Sequence, residues 1–371
     1  MFSGGRIRGR ALAAAAGLLL SLAVLPSAEA GEATPDLTPP PAQVPGLAYV
    51  TGTATSPSAV WVAQLNGSAP RRLGPGDSPL ISPNGHSVAA ALFGATANSE
   101  QGPALAIYST LGAPTTEYLS LETATATPLA WSPDSRYLAV SLMSTSVTNI
   151  AKGSGLAVID TQTGTLTTII HGQINGASFA RDGSDRLIFG RAPSLAVNSP
   201  SNLYLSLPNG SGIKLLTHDG RSLNPVWGSR YIAYDRERLR KNYAPLFQIW
   251  LRPASGAGAA RRLTNVQVGP LVEGLLPLAF SADSTRLLAE YEGEDTSNAW
   301  TVRLPSGRAR EIRVRGRSVV AGGLSQDGST VLIDQNSFEG PPSQGSLASI
   351  PFNGGAPHLL VAHAAQGSWN G

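Results

Sequence analysis

The chain has 371 residues, no cysteine, 41 glycines, 28 prolines and a formal net charge of +3. The missing cysteines exclude disulfides, thiolate metal sites, a cysteine nucleophile and lipid attachment through an N-terminal cysteine. With 27 Lys and Arg against 24 Asp and Glu, the chain lacks the one-signed field that non-specific nucleic-acid binding needs. The abundance of glycine and proline, beside few aromatic residues, fits an all-β fold with many turns.

Taken in chain order, residues 1–30 read as a secretory signal. Arg6, Arg8 and Arg10 form a positive segment, Ala11 to Val24 an apolar run too short to span a bilayer, and Ala28-Glu29-Ala30 a small-x-small cleavage site. Cleavage after Ala30 is expected, with an uncleaved membrane anchor as the other reading. Removing three Arg and one Glu from the formal +3 leaves +1 on the mature chain. The mature protein is expected to be secreted or otherwise extracytoplasmic, without lipid anchor or membrane insertion. Residues 31–45 form a proline-rich leader, and 46–371 the domain.

Within that domain one motif recurs: an apolar anchor, a polar turn with Asp or Asn, then a β-run. The copies are Ile81-Ser82-Pro83-Asn84-Gly85, Trp131-Ser132-Pro133-Asp134-Ser135, Phe179-Ala180-Arg181-Asp182-Gly183, a shortened Trp227-Gly228-Ser229-Arg230, Phe280-Ser281-Ala282-Asp283-Ser284 and Leu324-Ser325-Gln326-Asp327-Gly328. The anchors are spaced by 50, 48, 48, 53 and 44 residues. Each copy continues through two further β-runs joined by a tight Gly-rich turn. Four strands repeated at this period predict a β-propeller. One blade cannot bury both faces of its sheet, and a ring of blades supplies the missing partners.

The chain ends decide between seven blades and six. Gly46–Gly52 and Val60–Leu73 supply three strands without an inner first strand. Trp369-Asn370-Gly371 resembles the start of another motif copy. The expectation is seven blades, with the C-terminal strand completing the N-terminal blade. The alternative is six blades and a loose tail.

Leu129–Val140 (LAWSPDSRYLAV) and Trp250–Thr264 (WLRPASGAGAARRLT) resemble the TolB-like, Trp-Asp-repeat-like β-propeller repeats. The resemblance covers most of the mature chain and is specific for fold rather than function. It implies two departures: the N-terminal α/β domain of TolB has no counterpart in the leader, and TolB itself has six blades.

No motif in the chain carries a recognisable chemistry. The five histidines lie in different units, and His358 and His363 lack metal-ligand spacing. There is no G-x-S-x-G elbow, P-loop or dinucleotide fingerprint. Asp134, Asp182, Asp283 and Asp327 read as turn caps. The inner-strand segments PLIS, PLAWS, GASFA, NPVWG, PLAFS and AGGLS carry almost no titratable groups. No catalytic residue, cofactor or metal is therefore predicted.

Long connections on one face of the disc are the better candidates for binding. They are Phe93–Pro103, Met143–Ser154, Arg191–Ser201, Arg236–Leu246, Glu292–Asn298 and Asn336–Ser346, all read as irregular loops. Two are charged. Arg236, Arg238, Arg240 and Lys241, with Tyr243 and Phe247 close by, form a basic patch; Glu290, Glu292, Glu294 and Asp295 form an acidic one. They either recognise a partner or neutralise each other, and a calcium site on the acidic run stays open. The expected function is a secreted, non-catalytic scaffold binding a protein or extracellular ligand. The alternative is a propeller-type hydrolase or lactonase acting at the central channel.

Overall fold

The apolar anchors and alternating runs become strands, and the Asx-containing turns separate them. The computed structural model describes residues 44–53, 56–92, 103–111, 116–120, 124–144, 153–194, 196, 199–240, 243–267, 272–293, 296–335 and 340–370. The signal segment and most of the leader lie outside these residues.

The strands follow one another in groups. β1 (Leu47–Thr51), β2 (Ala59–Ala63) and β3 (Arg71–Pro75) come first. β4 (Asp77–Ile81), β5 (Ser87–Ala91), β6 (Pro103–Ser109) and β7 (Thr116–Ser120) form the next unit. Then come β8 (Ala124–Trp131), β9 (Tyr137–Ser144), β10 (Gly155–Asp160) and β11 (Thr165–His171), followed by β12 (Gln173–Phe179), β13 (Leu187–Ala192), β14 (Asn202–Ser206) and β15 (Lys214–Leu215). The fifth unit is β16 (Ser222–Trp227), β17 (Tyr231–Arg240), β18 (Tyr243–Pro253) and β19 (Arg261–Arg262). The sixth is β20 (Val272–Phe280), β21 (Arg286–Gly293), β22 (Thr296–Arg303) and β23 (Arg308–Glu311). The last full unit is β24 (Val319–Leu324), β25 (Thr330–Gln335), β26 (Ser346–Pro351) and β27 (His358–Ala362), with a short 3-10 turn at Pro342–Gln344. β28 (Ala365–Trp369) ends the described chain.

Within each unit the strands pair antiparallel in sequence order. Single parallel bridges, Phe247 to Gly274 and Asn298 to Val319, link the fifth, sixth and seventh units into one twelve-stranded sheet. The first unit is completed from the other end of the chain, with the order β28-β1-β2-β3. Leu47 lies opposite Trp369 just as Leu138 lies opposite Trp131 and Leu287 opposite Phe280. Trp369 therefore stands at the anchor position of the motif.

Each innermost strand touches that of the next unit: β28, β4, β8, β12, β16, β20, β24 and back to β28. Seven buried apolar clusters sit one at each junction. One, for instance, joins Ala233, Ile249 and Leu251 of the fifth unit to Leu275, Phe280 and Leu287 of the sixth. Another joins Leu47 and Tyr49 to Leu332 and Leu347 across the chain ends. Each blade thus buries both sheet faces against its neighbours, which removes apolar area from water without disulfides.

β28 is held on three sides. The Asn370 amide donates to the Gly46 carbonyl at 3.1 Å, and the Ile81 amide to the Ser368 hydroxyl at 3.2 Å. The Gln366 amide donates to the Asp334 carboxylate. Gln366 adopts a left-handed φ of 54°, and the Ser78 amide donates to its side-chain oxygen at 2.6 Å.

Two of the expected loops prove to be strands. Arg236–Arg240 and Tyr243–Leu246 extend the β17–β18 hairpin, whose pairing continues from Tyr231/Pro253 to Arg240/Tyr243. Glu292–Gly293 and Thr296–Asn298 likewise continue β21 and β22, with pairing to Gly293/Thr296. Part of the β17–β18 ribbon lies in solvent, where no apolar alternation is needed. Backbone pairing alone defines it there, and the charged sequence reads as loop.

Candidate functional site

In four blades the turn between the first and second strands is built from a serine and an Asx. The Ser281 hydroxyl donates to Asp283 at 2.7 Å and accepts from the Arg286 amide at 3.1 Å, while the Thr285 amide donates to Asp283 at 2.9 Å. Ser82/Asn84, Ser132/Asp134 and Ser325/Asp327 repeat this arrangement. Hydrogen bonds, led by those from Ser281 and Ser325, pull Asp283 and Asp327 down to about 2. Asp182, bonded first by Ser184 and also by Arg186, is likewise near 2. These carboxylates fix turns.

The predicted charged patch is divided by the structure. Arg236 is turned back onto its own blade, 3.0 Å from Asp219 and over the Trp250 ring at 4.7 Å from the centroid. Arg238 is exposed on the ribbon, and beside it Leu239 is 60% exposed. Arg240 pairs in register with Tyr243, and its charge is felt by the Tyr291 phenol of the next blade. Glu292 is half-buried, and its carboxyl is raised by burial and by Glu273. Lys241, Glu294 and Asp295 lie outside the described residues, as does the side chain of Tyr243. The basic ribbon of the fifth blade lies beside β20 of the sixth, joined at Phe247 and Gly274, and Glu292 stands one strand further on, opposite Gly274 on β21.

The inner strands are not devoid of acids: β4 begins with Asp77, and β20 carries Glu273. A more regular feature, not evident from the sequence alone, lies one strand further out. Asp235, Glu290 and Asp334 occupy the same position of the second strand in three consecutive blades, three residues beyond the partner of the apolar anchor. Strand alternation sends each toward the following blade. Asp235 shares its face with Ala233 in the cluster between the fifth and sixth blades. Asp334 reaches β28, where the Gln366 and Gly367 amides both donate to it. Glu290 accepts from the Ser297 hydroxyl.

All three carboxyls are raised to about 7, in each case chiefly by loss of solvent. Asp235 is 0% exposed, and neither of its oxygens has a hydrogen-bond partner; the nearby Asn224 amide offsets only part of the desolvation. Burial without full compensation favours the neutral acid. The signal was present in the sequence as three β-runs ending in an acid, YIAYD, LLAE and VLID. Among the described residues no group of three or more His, Asp or Glu is placed to hold a metal ion.

Against known structures, the β-propeller domain of the Trilobed protease from Pyrococcus furiosus aligns over 86% of this chain and 95% of its own, at TM-score 0.61 and 12% identity. The fold is a β-propeller. The Pyrococcus domain has an open velcro topology, whereas here β28 hydrogen-bonds to β1. An oligogalacturonate lyase in complex with manganese aligns over 84% of this chain and 86% of its own, at TM-score 0.57 and 12% identity. TolB structures are also among the propeller neighbours, that from Acinetobacter baumannii at TM-score 0.48 and 15% identity over 87% of this chain and 82% of its own. No protein-family model and no curated protein matches the chain. At these identities the likeness concerns fold alone.

Proposed function

We propose that this chain is an exported, non-catalytic propeller scaffold, and that it binds a protein or extracellular ligand on the face carrying the connections between second and third strands. The observation behind this reading is the β17–β18 ribbon. Its strands have ten and eleven residues, which carries Arg238 and Leu239 into solvent. On the same face Met143 is 59% exposed at the end of β9. An exposed apolar residue beside a cation on a rigid ribbon suits a partner surface with an apolar hollow and negative charge.

The test compares full-length chains as bait in material from the exporting cells. Reversal of charge at Arg238 (Arg238→Glu) with Leu239→Ser is expected to weaken capture of the specific partner about tenfold, equivalent to about 1.4 kcal/mol, at an unchanged melting temperature. Substitutions in the tight turns of the opposite face, such as Asn209→Ala, should leave capture intact. The reverse pattern would place the binding face on the other side.

A hydrolase or lactonase acting at the channel is the second reading. It is favoured by the three carboxyls held near 7, because perturbed acids cluster at catalytic sites. Each of them, however, faces its neighbouring blade, and Asp334 is engaged with the backbone of β28.

A further inference from the structure

The outer edge of the sixth blade carries an arrangement that neither the charged ribbon nor the channel uses. β22 and β23 form a hairpin in which Arg303 lies directly opposite Arg308, and Thr301 opposite Arg310. Residues two apart on a strand share a face, so all four side chains project the same way. With Asn353, from the turn after β26 in the next blade, they line a cleft of about 190 Å³.

Like charges directly opposite on paired strands are destabilising, and nothing among the described residues offsets these. Among the described residues none of the three arginines takes part in an ion pair. The nearest acid in sequence, Glu311, follows on the other face of β23 and is bonded to Arg313 at 2.6 Å. Two of the guanidinium groups are nonetheless held in place. Arg303 donates to the Asn353 side-chain oxygen at 2.6 Å, and Arg310 donates to the Asn353 main-chain carbonyl. Each contact leaves N–H groups on the guanidinium for another acceptor. Arg308 is exposed and completes the set. A fourth cation stands close by, since Arg261 of the fifth blade donates to the Pro305 carbonyl of the same hairpin turn at 3.2 Å.

We propose that Thr301, Arg303, Arg308, Arg310 and Asn353 form an oxyanion site that takes a phosphate or sulfate group. Guanidinium forks match the oxygens of such groups in geometry and charge, and arms fixed beforehand lose less freedom on binding. The ligand supplies the negative charge that this face of the hairpin lacks. The site lies on the tight-turn side of the blade's outer strands, away from the β17–β18 ribbon, so it is independent of the binding face proposed above.

The experiment uses the full mature chain at low ionic strength. Thermal melts and calorimetric titrations are run with inorganic phosphate, with inorganic sulfate, and with chloride at matched ionic strength. Phosphate or sulfate is expected to bind saturably and to raise the melting temperature above the chloride control; whichever binds more tightly identifies the preferred group. Arg308→Gln should raise the dissociation constant at least tenfold, while the ligand-free variant melts at the same temperature as the parent or higher, because a like-charge pair is relieved. Equal stabilisation by matched chloride would reduce the effect to screening and overturn the proposal. So would a change of less than threefold in Arg308→Gln, or an absence of saturable binding to the parent chain.

Discussion

Asp235 shows how a single buried group ties this fold to pH. Its folded-state value near 7 lies above the ordinary aspartate value of 3.8, so between these two pH values the folded chain holds a proton that the unfolded chain has released. Stability therefore falls as pH rises through that window and stays low above it. Glu290 and Asp334 act in the same direction. Asp182, Asp283 and Asp327 act oppositely: their contribution is complete above about 4 and is lost as pH falls toward 2. The melting temperature should accordingly be highest near pH 4–5. Asp235→Asn should raise stability at pH 8 by about 1–3 kcal/mol, the scale of a buried polar group without a partner, and change it much less at pH 5. Melts of both chains at the two pH values check this, and an equal effect at both would show that Asp235 is not titrating.

At the scale of elements, the recurring turn is the unit that the sequence displayed most clearly. Its serine is buried at Ser82, Ser132 and Ser281 and serves two neighbours at once. Ser281→Ala should cost about 1–2 kcal/mol, read as a lower denaturation midpoint at unchanged slope, whereas an exposed serine such as Ser255 should tolerate alanine. The motif was legible because anchor, serine and Asx recur at nearly fixed spacing, and each has a local physical reason. The β17–β18 ribbon was not legible: Arg236-Glu237-Arg238-Leu239-Arg240 shows no apolar alternation, since both faces of the ribbon reach solvent. The acids of the second strands escaped for another reason. YIAYD and VLID look like ordinary strand ends until strand parity shows that Asp235 and Asp334 point into the junction between blades. The arginine cleft depends on register, because Arg303 and Arg308 become opposed only once the hairpin closes. It also needs Asn353 from the adjacent blade, more than forty residues away in sequence.

For the whole molecule the central relation is that both ends of the domain share one blade. β28 pairs with β1, accepts from β4 through Ser368 and Gln366, and donates to Asp334 of the seventh blade. Trp369 packs against the cluster that joins the first and seventh blades. Removing this strand takes away an anchor aromatic and opens the edge of β1, and it leaves Asp334 buried without its two backbone donors. The scaffold reading depends on this closure, since ribbons make a fixed surface only on a ring that stays shut. The most direct measurement is a thermal melt of the chain lacking Gln366–Gly371 against the intact chain. Truncating a core aromatic costs about 3–5 kcal/mol, and about 2–4 °C of melting temperature accompanies each kcal/mol in domains somewhat smaller than this one. A fall of about 10 °C is expected, with increased aggregation through the freed edge. An unchanged melting temperature would contradict closure by this strand.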